Sequence, residues 1–357
     1  MSDFSNKLIE WYELNKRDLP WRNTKDPYKI WLSEIILQQT RVQQGLPYYL
    51  AFEEAFPTIQ NFANATEEEV LRLWQGLGYY SRARNMHFTA KHISENLSSE
   101  FPTNFKDLLK LKGVGNYTAA AIASFAFGEK VATVDGNVYR VLSRIFGIDS
   151  PINSTNGIKE FAEVANTLIS DTQPDTFNQA LMEFGAIHCT PKSPNCLHCP
   201  FVQECEARKQ NRVGELPVKL KKTKVTDRYF HYLVIEENEK YWIKERKGKG
   251  IWQGLYDFPL LESDHKELNL ENIDQLTEDL ELKTFLQENA PSQISEMYKH
   301  ILSHQRLHIH FYHYKVDIEK SVSLFSEKDE YSLMDLDNIE KQPKPIIIHN
   351  YLNTYFY

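Results

Sequence analysis

Cysteine is scarce in this chain and confined: four residues in 357, all between Cys189 and Cys205. Disulfides spread through the fold are thereby excluded, and in a reducing compartment so tight a cluster points to metal ligation. No basic segment leads into an apolar run at Met1-Ser2-Asp3-Phe4, and no stretch approaches the length of a membrane span, so the expected location is the cytoplasm, with no membrane partner. Internal repeats and low-complexity tracts are lacking too. Positive charge is also short: the formal net charge is -8, which as an average argues against a polyanionic partner. The average conceals a split. Up to residue 226 the chain carries 26 Lys plus Arg against 25 Asp plus Glu, and from 227 onward 15 against 24. A near-neutral first half can still bind a phosphate backbone through a local basic face and backbone N–H groups.

What remains is an ordinary globular composition, 41% hydrophobic and 25% charged, in a chain long enough for two cores. The first 205 or so residues read as helices with no convincing strand alternation. Asp26-Pro27 forms an N-cap with proline at N1, opening a helix whose apolar positions include Ile30, Ile35, Leu37 and Val42. Tyr117 to Phe127 is apolar almost all round, as a buried central helix requires. Arg208, Lys209, Arg212, Lys219, Lys221, Lys222 and Lys224 make 207–226 a basic linker, either a solvated tether or a strap along phosphates. Beyond it, Tyr229–Ile235, Tyr241–Lys244 and Leu307–Val316 read as strands, with helical pattern from Leu276 to Leu286. The expected organisation is an all-α domain over 1–206, the linker, and a mixed α/β domain over 227–357.

Cys189, Cys196, Cys199 and Cys205 form C-x6-C-x2-C-x5-C, four soft ligands suited to zinc or to an iron-sulfur cluster; spacing alone does not choose. In Leu111-Lys112-Gly113-Val114-Gly115, glycines ahead of a helix let the backbone approach a phosphate closely, beside N–H groups that lack helical partners. Asp135 opens a helix in Val134-Asp135-Gly136-Asn137 and suits either capping or holding negative charge near a developing cation. Glu34 lies on an apolar stripe, four residues after Ile30 and three before Leu37, where burial favours a neutral carboxyl able to act as an acid.

Together these motifs resemble the adenine DNA glycosylase (MutY) family of the helix-hairpin-helix glycosylase superfamily. The resemblance is specific from Arg17 to Cys205 and looser beyond Asp227. It implies a 4Fe-4S cluster on Cys189, Cys196, Cys199 and Cys205, in the loop 189–205. In Ser33-Glu34-Ile35-Ile36-Leu37-Gln38-Gln39-Thr40 it makes Glu34 the acid towards adenine N7. Asp135 becomes the catalytic carboxylate, with Asn137 and the Tyr117 phenol supporting it. Bifunctional relatives of the endonuclease III type carry lysine at the position of Tyr117 and cleave the strand through a Schiff base, which tyrosine cannot form. The resemblance places Arg17, Leu19, Trp21, Arg22, Leu37, Val42 and Glu183 around the flipped adenine. Gly113 and Gly115 hold the DNA backbone, Tyr79 of Gly76-Leu77-Gly78-Tyr79-Tyr80-Ser81-Arg82 wedges into the stack, and Gln39 and Thr40 probe the widowed base. Gly250-Ile251-Trp252-Gln253-Gly254-Leu255-Tyr256-Asp257-Phe258-Pro259 is similar to MutT-like (Nudix-fold) domains of that family but lacks the glutamate-rich Nudix box, which implies recognition without pyrophosphatase chemistry. Leu302-Ser303-His304 aligns with a Phe-Ser-His loop that distinguishes 8-oxoguanine, with leucine replacing the phenylalanine. The implied protein is a monomeric, monofunctional enzyme acting on double-stranded DNA with adenine opposite 8-oxoguanine or guanine. A bifunctional glycosylase, a non-catalytic iron-sulfur DNA-binding protein and a nucleotide pyrophosphatase are the rival readings.

Overall fold

The computed structural model describes residues 2–220, 225–268, 271, 273–317, 324–325 and 330–356. The chain divides into two compact units: Met1–Asn64 with Asn85–Lys221, and Ala65–Arg84 with Lys222–Tyr357. The first is helical, as its strandless pattern predicts. Its helices are α1 (Ser2–Asn15), α2 (Pro27–Ile36), α3 (Val42–Ala55) and α4 (Ile59–Asn64). After α5 (Glu67–Leu73), which belongs to the second unit, and α6 (Ser81–Asn96), come α7 (Phe105–Leu108), α8 (Asn116–Phe127), α9 (Gly136–Phe146), α10 (Thr155–Leu168), α11 (Pro174–Glu183) and α12 (Glu206–Lys209).

Local chemistry sets these boundaries. Asp26 accepts from the Tyr28 N–H with Pro27 at the first position, which starts α2 as expected. The helix stops at Ile36, however, and Val42 opens α3. Gln39 takes a left-handed φ of 60°, so Leu37 and Val42 do not share one helix as the spacing predicts. Gly128 and Gly147, both at φ 70°, end α8 and α9 in the left-handed conformation that favours glycine. Leu8, Val138, Val141, Phe161, Phe177, Phe184 and Phe201 form one core beneath α1, α9, α10 and α11. Burial of such side chains contributes roughly 1.5–3 kcal/mol each.

The 207–226 segment is not a free tether over its length. Ala207 lies in α12, Leu216 is buried, and Val218 and Leu220 bond to Ile152 and Asn153 of the first unit. Buried apolar side chains and paired backbone groups, invisible in a composition dominated by Lys and Arg, hold it there. Lys221, Lys222 and Lys224 of that stretch lie outside the described residues.

The second unit carries an eight-stranded sheet: β1 (Thr226–Glu237), β2 (Lys240–Glu245), β3 (Tyr256–Asp257), β4 (Leu260–Ser263), β5 (Gln293–Ile294), β6 (Tyr298–Ile301), β7 (Gln305–Lys315) and β8 (Tyr331–Asp335). The order β3-β2-β1-β7-β5 forms its spine, with β4 on β1, β6 on β7 and β8 on β2. β1 and β7 run parallel from Thr226↔Gln305 to Glu236↔Lys315; the other pairs are antiparallel. The single helical run expected from Leu276 to Leu286 is two elements, α13 (Ile273–Leu276) and α14 (Leu280–Glu288), because Asp279 caps α14 through the Leu282 N–H. Two more helices, α15 (Leu336–Lys341) and α16 (Ile346–Tyr355), complete this unit.

Candidate active site

Glu34 faces the interior of the first unit from α2, 6% exposed. Burial pushes its carboxyl up to about 7; a hydrogen bond from Tyr117 opposes the rise and the Asp135 charge adds to it. The Tyr117 hydroxyl, at the start of α8, donates to Glu34 Oε2 at 2.5 Å. Its expected partner was Asp135. The structure corrects this: the oxygens of Asp135 are already served by donors of α9, while Glu34 has need of one. Asp135 caps α9 and accepts from the backbone N–H groups of Asn137 and Val138, both at 2.8 Å, and from Asn137 Nδ2 at 2.7 Å. Burial raises its pKa, and these donors and Arg140 oppose the rise. Burial raises both carboxyls, but a single phenol donates to Glu34 whereas three donors surround Asp135.

Glu183, at the end of α11, is 1% exposed and fully occupied. Arg17 binds it through Nε at 2.8 Å, Nη2 at 2.6 Å and its backbone N–H at 3.0 Å, and Arg22 Nη2 adds a bond of 2.7 Å. Burial alone would push Glu183 up, yet the two guanidinium groups hold it at about 2. Glu183 thereby ties the end of α11 to the segment Arg17–Arg22. Leu19 and Trp21 of that segment are buried, Trp21 edge-on to Tyr49 at 5.1 Å. Leu37, Val42 and Thr40 are half-buried and Gln39 is exposed. Gly113 (φ 79°) and Gly115 are exposed in the turn before α8; a Cβ on Gly113 would lie 2.8 Å from Asn85 Cβ.

The four cysteines are half-buried and form no disulfide. Burial pushes Cys199 up to about 11, with the other three cysteines adding to the rise, so the four sulfurs share one electrostatic neighbourhood. Among the described residues no three His, Cys, Asp or Glu side chains gather closely enough to hold a single metal ion. Four soft sulfur donors in one loop suit an iron-sulfur cluster or zinc alike.

Two residues that the sequence reading passed over join this loop to α9. Arg140 donates from Nε to the Cys189 carbonyl (2.7 Å) and from Nη2 to Gly185 O (2.6 Å) and Asn137 Oδ1 (2.8 Å). Arg144, 3% exposed, reaches Cys189 Sγ at 3.5 Å and the carbonyls of Thr190, Pro191 and Leu216. Their signal was in the sequence: two arginines four apart on a helix whose other inward positions are, Ser143 apart, apolar.

In the second unit, Ser303 and His304 are exposed at the turn between β6 and β7, closed by Leu302 N–H to Gln305 O at 2.8 Å, and Leu302 is half-buried. Tyr79 is 51% exposed, and its hydroxyl contacts Ser303 Oγ.

Residues 32–166 match the HhH-GPD superfamily of base excision DNA repair proteins and 231–354 match the NUDIX domain. An adenine DNA glycosylase of Buchnera aphidicola (from Schizaphis graminum) is 38% identical over 72% of this chain and 74% of its own. Another from Buchnera aphidicola (from Baizongia pistaciae) is 32% identical over 94% and 92%, and the human adenine DNA glycosylase 43% identical over 58% and 40%. Among solved structures, a thermostable thymine-DNA glycosylase aligns with TM-score 0.54 and 32% identity over 58% of this chain and 96% of that one. An endonuclease III in complex with DNA aligns with TM-score 0.51 and 22% identity over 58% and 96%, a likeness of fold.

Proposed function

Because the chain belongs to the adenine DNA glycosylase family, we propose that Glu34 protonates the departing adenine while Asp135 holds the charge of the sugar it leaves. The protein is an adenine-specific DNA N-glycosylase of base excision repair, and DNA is its substrate. One observation carries the division of labour: a buried carboxyl with pKa near 7 beside a carboxylate held by three donors. The first can keep a proton at neutral pH and deliver it to N7; the second presents negative charge as C1′ becomes cationic. Tyr117 holds Glu34 in place and carries no amine, so the reaction ends in hydrolysis by water. Asn137 fixes the second oxygen of Asp135, and Arg140 fixes Asn137.

The proposed substrate is duplex DNA with adenine opposite 8-oxoguanine or guanine, read by Ser303 and His304 at their exposed turn, with the protein acting as a monomer. Cys189, Cys196, Cys199 and Cys205 would hold a 4Fe-4S cluster, which supplies a covalent tie across the 189–205 loop. Arg140 and Arg144 are placed to balance its thiolates and to fasten the loop to α9.

Asp135→Asn tests the mechanism, since Asn caps a helix about as well as Asp but carries no charge. The variant is expected to fold and bind DNA while releasing base at least ~100-fold more slowly. A folded variant working at close to the wild-type single-turnover rate would refute the role of Asp135. Iron and inorganic sulfide in the purified protein are expected; stoichiometric zinc without iron would overturn the cluster.

A further inference from the structure

The loop that presents Tyr79 is held in an uncommon conformation. Gly76 and Gly78 take φ of 96° and 73°, and Tyr79 itself, a bulky residue, sits at φ 50°. No Cβ would meet an atom within 4 Å at Gly78, so conformation and not space demands that glycine. A left-handed tyrosine costs on the order of 1 kcal/mol or more and persists only where neighbours over-determine it.

Besides Ser303 Oγ at the Tyr79 hydroxyl, Trp74 and Arg82 act on this loop directly. Trp74, fully buried, donates from Nε1 to Gly78 O at 2.9 Å. Arg82 donates from Nη2 to the same carbonyl at 3.3 Å, and its backbone N–H bonds Tyr79 O at 2.9 Å. The Arg82 guanidinium lies 5.1 Å from the Trp74 ring and 5.5 Å from the Tyr79 ring, within cation–π range of both. Burial lowers its pKa to about 10, which leaves it charged at neutral pH.

We propose that Arg82 is a positioning residue for mispair recognition: its guanidinium, seated on Trp74, holds Tyr79 in the orientation from which the ring enters the base stack. The proposal rests on the wedge role of Tyr79. A planar guanidinium can stack on two rings and donate to a carbonyl at once, whereas a lysine ammonium is a compact point charge. Fixing the ring before DNA arrives removes part of the ordering entropy that binding otherwise loses.

A double-mutant cycle tests it. Equilibrium binding to a duplex with a non-hydrolysable 2′-fluorinated adenosine opposite 8-oxoguanine is measured for Arg82→Met, Arg82→Lys, Tyr79→Leu and both double variants. Arg82→Met and Arg82→Lys are each expected to weaken binding ~10-fold in the Tyr79 background and under ~2-fold with Tyr79→Leu. An equal loss in both backgrounds would mean that Arg82 acts by itself, as on a phosphate, and overturns the proposal. Wild-type binding by both variants does so too. Arg82→Lys keeps stem and charge, so it decides the matter if Arg82→Met unfolds. Were Tyr79→Leu alone without effect, the wedge reading would fall first, a result distinct from a missing coupling.

Discussion

At the scale of single residues, the protein treats two carboxyls differently. Glu34 has a folded pKa near 7 against an ordinary 4.5, so the folded protein keeps a proton that the unfolded chain gives up. The resulting penalty is absent below about pH 4.5 and complete above about pH 7, where it is on the order of 3 kcal/mol. Glu34→Gln, which can still accept from Tyr117, should therefore raise Tm at pH 8 but not at pH 4.5, and should abolish base release at both. Equal shifts of Tm at the two pH values would show that ionisation of Glu34 is not the cause. For the wild type, kcat/KM should fall as pH rises through about 7 and Glu34 loses its proton. A rate flat from pH 6 to 9 would contradict the acid role. The burial of Glu34 and the capping of α9 by Asp135 were legible in the sequence. The hydrogen bond of Tyr117 to Glu34 and the enclosure of Glu183 by Arg17 and Arg22 were not, because both join residues far apart in the chain.

At the scale of elements, the junction between α11 and the cysteine loop leaves no room for a side chain at Gly185. A Cβ on Gly185 would lie 2.7 Å from Asn137 Cβ and 2.9 Å from Asn137 O, so the chain after Glu183 presses directly on the residue that fixes Asp135. Gly185→Ala should cost about 1–3 kcal/mol of stability, the range for overpacking, and slow base release at least ~10-fold. Unchanged Tm and rate would show that the junction yields freely. Elements with strong local signals, such as the capped start of α2 and the apolar α8, read correctly from sequence. Those decided by a single backbone reversal did not: the left-handed Gln39 separates α2 from α3, and the Asp279 cap splits α13 from α14.

At the scale of the whole molecule, the sequence indicated two bodies and the change from helix to sheet. It could not reveal that Ala65–Arg84, helical in pattern, is counted with the sheet-bearing unit, since the contacts that place it there are long-range ones such as the Lys344 N–H to Gln75 Oε1 at 3.2 Å. Ser303→Ala with His304→Ala should reduce the preference for 8-oxoguanine over guanine opposite adenine more than it reduces adenine removal itself; single-turnover rates on the two duplexes give the ratio, and an unchanged ratio would exclude that turn from recognition. The central claim is that this protein releases adenine by hydrolysis alone. Its most direct test is a single-turnover reaction on a duplex bearing adenine opposite 8-oxoguanine, with free base and strand breaks both measured, with and without borohydride. Free adenine is expected, with no borohydride-trapped adduct and with strand breaks only after alkali. Release of no adenine, or efficient trapping with breakage before alkali, would contradict it.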